Sequence, residues 1–380
     1  MVDVFKIKPD EKTVLYVDDL RTWFPIRRSF AEVIKRAPRR YVHAVDGVSF
    51  QIQEGDVFGL AGESGCGKTT TGKTVIRLVD PIGGVIGYKP SERLLNELRE
   101  AGYEPKVVSE YGHIDVAKIP SKYLKPLRKE MQMIFQDPYG SLNPRYTIYQ
   151  ILEEPLIIHG IGETKEERYD LVAKALEAVK LTPPEDFMKR YPHMLSGGQR
   201  QRVGIARALI LHPKFIVADE PVSMLDVSIR AEILELMMEI KQRYNLTYIF
   251  ITHDLAVARY ITNKIAIMYL GKIVEVGETR KVIDNPLHPY TKALIAAIPD
   301  PDPRNRAKIR ELPIKGEVPS AINIPPGCRF HPRCVEYDAN PRVQKYCRTM
   351  EPLLIEIEKG HYVSCWLYGD PQELLKLLRK

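Results

Sequence analysis

The stretch that most constrains this 380-residue chain is Gly62-Glu63-Ser64-Gly65-Cys66-Gly67-Lys68-Thr69, which fits G-x-x-x-x-G-K-[ST]. Before it, residues 57–61 (Val-Phe-Gly-Leu-Ala) have the length and apolar character of a short buried strand. After it, residues 70–79 read as a helix. Strand, glycine-rich loop and helix in that order form a cradle for phosphate. The glycines let successive backbone N–H groups turn inward, and the helix N-terminus adds the positive end of its dipole. Lys68 is placed to reach the β- and γ-phosphates, and the Thr69 hydroxyl to ligate Mg²⁺. A glycine-rich turn without a ligand is the competing reading, and the Lys-Thr pair in register argues against it. Gly62, Ser64, Gly65, Cys66, Gly67, Lys68, Thr69 and Thr70 are therefore the expected nucleotide contacts, with the Cys66 thiol open to thiol reagents.

Two more apolar runs, residues 215–218 and 247–251, flank a predicted helix over 229–243. That order implies a parallel sheet with helices on its faces. The first run ends in Asp219-Glu220. In P-loop enzymes the acid at such a strand end holds Mg²⁺, which suits Asp219; Glu220 is then placed to orient and polarise a water. Any strand must end in something polar, so this pair carries weight only in company with the P-loop. Leu195-Ser196-Gly197-Gly198-Gln199 precedes a predicted helix over 199–211. Its glycines and hydroxyl let an anion approach a helix N-terminus closely, although a bare pentapeptide of this kind also makes an ordinary N-cap. Elsewhere, helical periodicity marks 145–190 and a hairpin about Gly271 joins 265–269 to 272–276. The segment 80–130 reads as a surface elaboration with a helical patch near 92–101, and 299–326 as a proline-rich linker.

Together the three motifs resemble the ATP-binding cassette (ABC) superfamily, whose signature is LSGGQ. The resemblance implies an α/β P-loop NTPase cassette over residues 1–298. Its parts are a RecA-like parallel-sheet core, an antiparallel β subdomain and a helical subdomain (about 140–212), with the surface insertion at about 80–130. A small irregular cysteine-rich extension, 299–380, follows. By the same resemblance Gln136 is the Q-loop glutamine that touches Mg²⁺ and the attacking water, and His253 the switch histidine. Asp226 lies in the D-loop that crosses a dimer interface. Lys68, Gln136, Glu220 and His253 carry catalysis, while Ser196, Gly197, Gly198 and Gln199 close over a partner's nucleotide. The family stacks an aromatic residue on adenine, and Tyr41 is the candidate, with His43 second. Two departures are Met224, where the D-loop usually has Ala, and the length of 80–130.

Within the superfamily the chain resembles the dipeptide/oligopeptide permease ATPases over roughly residues 12–368. Tyr191-Pro192-His193-Met194 leads into the signature, Phe135-Gln136-Asp137-Pro138 is followed by Ser141-Leu142-Asn143-Pro144-Arg145, and Pro289-Tyr290-Thr291-Lys292-Ala293-Leu294 follows His288. Residues 220–223 and 226–229 look like the F-type subunit. The resemblance implies a heterodimer with a D-type ATPase, two transmembrane permease subunits, and indirectly a solute-binding protein. ATP hydrolysis would energise import of di- or oligopeptides, with oligosaccharide cargo as the alternative. A soluble cassette acting on nucleic acid is a further alternative, permitted by the net charge of +7 and the basic stretch from Arg27 to Arg40; no nucleic acid is expected. No apolar run has membrane-spanning length and no signal peptide is evident. The expected place is thus peripheral, on the cytoplasmic side of the cell membrane.

Four of the five cysteines, Cys328, Cys334, Cys347 and Cys365, run as C-x5-C-x12-C-x17-C. Four thiolates suit either a [4Fe–4S] cluster or tetrahedral Zn²⁺, and the tight knuckle that zinc sites favour is absent. The subfamily resemblance implies the iron–sulfur cluster, with zinc as the alternative.

Overall fold

The computed structural model describes residues 4–298, 312–369 and 371–378; part of the expected linker, 299–311, lies outside them. Twelve strands occur among the described residues. In chain order they are β1 (Thr13–Pro25), β2 (Tyr41–Gln53), β3 (Val57–Ala61), β4 (Gly83–Tyr88), β5 (Ile114–Asp115), β6 (Met131–Ile134), β7 (Phe215–Asp219), β8 (Thr247–Thr252), β9 (Lys264–Tyr269), β10 (Lys272–Glu278), β11 (Ile355–Glu358) and β12 (His361–Val363). They form an eight-stranded sheet, β11-β12-β10-β9-β3-β8-β7-β6, and a four-stranded sheet, β2-β1-β4-β5.

The central strands β3, β7 and β8 are buried at every position. Continuous apolar runs of this kind belong in a parallel sheet covered on both faces, and β6, β7, β8, β3 and β9 pair in parallel. One face meets the antiparallel sheet, with Phe50 of β2 stacked on Phe58 of β3 at 4.9 Å. The helix Lys68–Val75 lies between the two sheets, joined to β1 by the hydroxyls of Thr22 and Thr74 at 3.1 Å. The other face carries the helical subdomain, Ile148–His159, Lys165–Ala178, Pro184–Met188 and Gly197–Leu209, whose buried Leu152, Val172, Leu176 and Val203 share a core with Ile216 and Phe250.

Two expectations need revision. The segment 80–130 is more than a surface elaboration. β4 pairs with β1, and Ile86, Tyr88, Leu94, Leu98 and Ile114 enter the inter-sheet core. Its Gly-Gly-Val-Ile-Gly-Tyr sequence hides a strand whose stability comes from cross-strand partners rather than propensity. The C-terminal extension, expected to be irregular, adds β12 to the edge of β10 and β11 beyond it, so it completes the main sheet. Its Phe330, Trp366 and the four cysteines pack with Tyr269 and Tyr290 in a third core.

Candidate active site

The P-loop turns between the end of β3 and the helix Lys68–Val75. At Gly62 (φ 147°) an added Cβ would sit 2.3 Å from the Met268 carbonyl oxygen, and at Gly67 (φ 109°) 2.1 Å from that of Ala44. Only glycine fits these two positions, and the loop closes because of it. The Lys68 ammonium is buried and donates to the carbonyls of Gly62 at 2.7 Å and Glu63 at 3.0 Å, bridging the mouth of the loop. Ser64, Gly65, Gly67, Lys68, Thr69 and Thr70 line a cleft of ≈ 530 Å³ with Val42, Ala44, Gln136, Glu220, His253 and Ala321.

Parallel pairing brings the strand ends together. β7 places Asp219 beside the loop, where its Oδ1 accepts the Thr69 hydroxyl at 2.8 Å. Burial raises the Asp219 carboxyl above its ordinary value, and the Thr69 hydrogen bond works against that rise. Glu220 follows in the left-handed region (φ 44°), held there by its N–H to the Ile251 carbonyl at 3.0 Å. A non-glycine residue in that region stores strain, and here the strain aims a carboxylate into the cleft. Glu220 Oε2 accepts Gln136 Nε2 at 3.0 Å and lies 3.0 Å from His253 Nδ1. The four expected catalytic residues, Lys68, Gln136, Glu220 and His253, therefore line one cleft.

Other expected residues stand elsewhere. Ser196 caps the helix Gly197–Leu209 in a reciprocal capping box with Gln199. Neither these residues nor Gly197, Gly198 and Asp226 line the cleft. Asp226 precedes the helix Val227–Tyr244 without capping it by a side-chain bond. The Cys66 thiol is buried 3.8 Å from Lys68 Nζ and raised in pKa by burial, so it is not the open thiol expected. Tyr41 and His43, the candidate adenine platforms, do not line the cleft, for one geometric reason. Successive β2 side chains alternate between faces. Val42 and Ala44 line the cleft, so Tyr41 and His43 face away, His43 packing on Trp23 with ring centroids 4.1 Å apart. Phe24, missed in the sequence, is paired directly with Val42, shares its face and is exposed. The register of β1 on β2 would have found it. Ala321 in the cleft was likewise unforeseen.

The expectation that the tail cysteines bind a metal, as an iron–sulfur cluster or as zinc, is overturned. Among the described residues no group of three or more His, Cys, Asp or Glu is arranged to hold a metal ion. All four tail cysteines are free and buried. A hydrogen bond between the Cys328 and Cys347 thiols, and burial, hold Cys328 well above its ordinary pKa; burial raises Cys365 likewise and pushes Cys334 up to about 11. Buried with Tyr290, Phe330 and Trp366, the four cysteines pack as small apolar side chains. The spacing of cysteines in sequence does not distinguish that role from ligation.

Comparison with known proteins agrees with this geometry. Residues 45–223 match the family described as ABC transporter, and 274–339 match the oligopeptide/dipeptide transporter, C-terminal region. The chain is 46% identical over 334 residues to the putative oligopeptide transport ATP-binding protein YkfD of Bacillus subtilis, covering 88% of this chain and 92% of that protein. It is 43% identical over 362 residues to the oligopeptide transport ATP-binding protein AppF of the same organism, covering 95% and 99%. Among solved structures, a dimeric ATP-binding cassette in a post-hydrolysis state bound to ADP and Pi superposes with a TM-score of 0.55 at 25% identity, covering 70% of this chain and 99% of that one. The chain belongs to the ABC transporter ATP-binding proteins, in the branch that carries the oligopeptide/dipeptide transporter C-terminal region.

Proposed function

We propose that this chain is the ATP-hydrolysing subunit that energises an importer of di- or oligopeptides, working as one of two cassettes that share their nucleotide sites. The observation that carries the reading is the division of the site. Lys68, Thr69, Gln136, Glu220 and His253 line one cleft, with Asp219 joined to it through the Thr69 hydroxyl, while the signature Ser196–Gln199 lies outside it. Exposed Met224 and Val227 flank Asp226, an apolar edge suited to a second cassette. The peptide cargo rests on the names of the relatives.

The residues fit the nucleotide and its metal. The cradle around Gly67 has no room for a side chain, and the Thr69 hydroxyl and Asp219 carboxylate are hard oxygen donors of the kind Mg²⁺ takes, with Gln136 a third. When bound, Mg²⁺ offsets the charge of the β- and γ-phosphates. Lys68 adds a second positive charge at the same place. Glu220 accepts a proton from the attacking water, and Gln136 and His253 fix its carboxylate in line. Ser196, Gly197 and Gly198 serve the partner's nucleotide, with the N-terminus of a thirteen-residue helix behind them.

The partners in this reading are a D-type ATPase, two permease chains and, indirectly, a solute-binding protein, with this subunit on the cytoplasmic face. No helix of the described residues is long and apolar enough to cross a membrane, so contact with the bilayer runs through the permeases. A groove of ≈ 730 Å³ beside Gln136, walled by Phe135, Pro155, Ile158 and Arg207, suits an inserted permease helix. The test is to tag the chain in its own host, recover the membrane complex, and measure its ATPase in vesicles with a peptide library and its binding protein. Two co-purifying permeases and peptide-stimulated turnover are expected. Recovery without permeases, or stimulation by oligosaccharides and not by peptides, contradicts it.

A further inference from the structure

The P-loop contains an acid, Glu63, one residue after Gly62. A carboxylate beside a phosphate cradle opposes a polyanion unless something neutralises it. The structure supplies the counter-charge from the far end of the chain. Arg333 is buried and forks onto Glu63, with Nη1 to Oε2 at 2.6 Å and Nη2 to Oε1 at 3.1 Å. The Glu63 N–H donates to the Tyr290 hydroxyl at 2.8 Å. The carboxylate and the N–H of Glu63 are thus held by residues outside the loop, and Glu63 itself does not line the cleft.

The same extension also lines the cleft itself. Ala321 lines it beside Val42 and Ala44, and its carbonyl accepts the His43 N–H at 3.1 Å. That segment is pinned through Arg329, which donates to the Leu270 carbonyl at 2.6 Å and pairs with Asp46 of β2 and Glu351. A bidentate guanidinium–carboxylate pair, little exposed, fixes position as well as charge.

We infer that the C-terminal extension is a working part of the nucleotide site: Arg333, with Tyr290, positions the P-loop through Glu63, and Ala321 forms part of the cleft wall beside Val42 and Ala44. Arg333 is a positioning residue, acting on nucleotide only through Glu63. Without it, the Glu63 carboxylate stands uncompensated beside the loop, and the penalty grows with the negative charge of the ligand. The extension then senses occupancy too, since whatever the nucleotide gains from its docking, docking gains from the nucleotide.

The inference rests on the reading that nucleotide occupies this cleft, and the experiment separates the two. Full-length wild type, K68A, R333Q, E63Q/R333Q and A321D are titrated with Mg-ATP and Mg-ADP, and each variant is melted without nucleotide. K68A tests the underlying reading, which fails if that variant binds ATP as wild type does. R333Q is expected to weaken ATP binding about tenfold or more and ADP binding less, because the uncompensated carboxylate repels the larger charge. Removing both charges in E63Q/R333Q is expected to restore most of the ATP affinity, an outcome that general damage to the fold does not give. A321D, remote from the Glu63 contact, is expected to weaken both nucleotides with little change in melting. R333Q binding ATP like wild type, or a loss that E63Q fails to rescue, overturns the P-loop role. Should R333Q not fold, unchanged nucleotide binding by A321D overturns the inference.

Discussion

Gly72 offers a sharp test of how the phosphate cradle is registered on the strand ends. It lies one turn beyond Lys68 in the helix Lys68–Val75, facing the sheet. A Cβ there would meet Val217 Cγ1 of β7 at 2.7 Å and Ile251 Cδ1 of β8 at 2.9 Å. Carbon atoms rest comfortably at roughly 3.5–4.0 Å, so Gly72→Ala must lift the helix or displace its neighbours by about 1 Å. Both neighbours are fully buried, which leaves little room to yield. Overpacking costs about 1–3 kcal/mol, and the better helix propensity of Ala returns up to about 1 kcal/mol. The net loss of stability is therefore ~0–3 kcal/mol on those figures. The functional loss is larger. Lifting the helix draws Thr69 from Asp219, now bonded at 2.8 Å, and a misplacement of about 1 Å costs on the order of 100-fold in rate. The assay is steady-state ATPase of the assembled transporter at saturating Mg-ATP, with thermal melting of the isolated chain. Gly204→Ala is the control, because a Cβ there meets nothing within 4 Å in the helix Gly197–Leu209. It should gain up to about 1 kcal/mol and leave turnover unchanged. Equal activity in the two alanine variants would refute the idea that helix-on-sheet packing sets the catalytic register.

Three further outcomes follow from the site. Phe24→Ala should weaken ATP binding by about 1–3 kcal/mol, the worth of one base-stacking contact, while Tyr41→Ala leaves it unchanged; the reverse pattern in nucleotide titrations would return the adenine platform to Tyr41. Cys66 should resist a thiol reagent in the native protein and react only on denaturation, because burial both hides the thiol and raises its pKa, and rapid native-state labelling mapped to Cys66 would contradict this. The Asp219 carboxyl, raised by burial, binds its proton more tightly folded than unfolded. Its own contribution therefore makes the fold more stable as pH falls through the raised pKa, and less stable above it. Asp219→Asn should be the more stable protein at neutral pH, with its advantage shrinking in acid; an advantage that grows in acid in pH-dependent melting contradicts the shift.

The parts of this molecule that the sequence reveals are those fixed by local chemistry. The P-loop, the apolar run ending in Asp219-Glu220 and the run ending before His253 declare themselves because parallel central strands are apolar throughout and polar groups gather at their ends. What the sequence hides depends on pairing. Whether Tyr41 or Phe24 shares the face of Val42 is a one-residue question, and it depends on a register that carries several irregularities along β1 and β2. The strand β4 hides behind three glycines. The four tail cysteines keep a ligand-like spacing yet form a buried core with aromatic partners. Arg333 and Glu63 meet across 270 positions of sequence, and no motif links them. The division of labour is physical: spacing encodes loops and strand ends, whereas contacts between distant segments arise only from packing.

If Glu220 is the base of an ATP site that this chain only half supplies, Glu220→Gln in the assembled transporter is the decisive variant. The amide keeps the volume of the side chain and cannot take a proton from water. The account predicts unchanged ATP affinity, a loss of turnover of about 10²–10⁴-fold, and paired cassettes that stay closed on ATP. Turnover near the wild-type rate would contradict it.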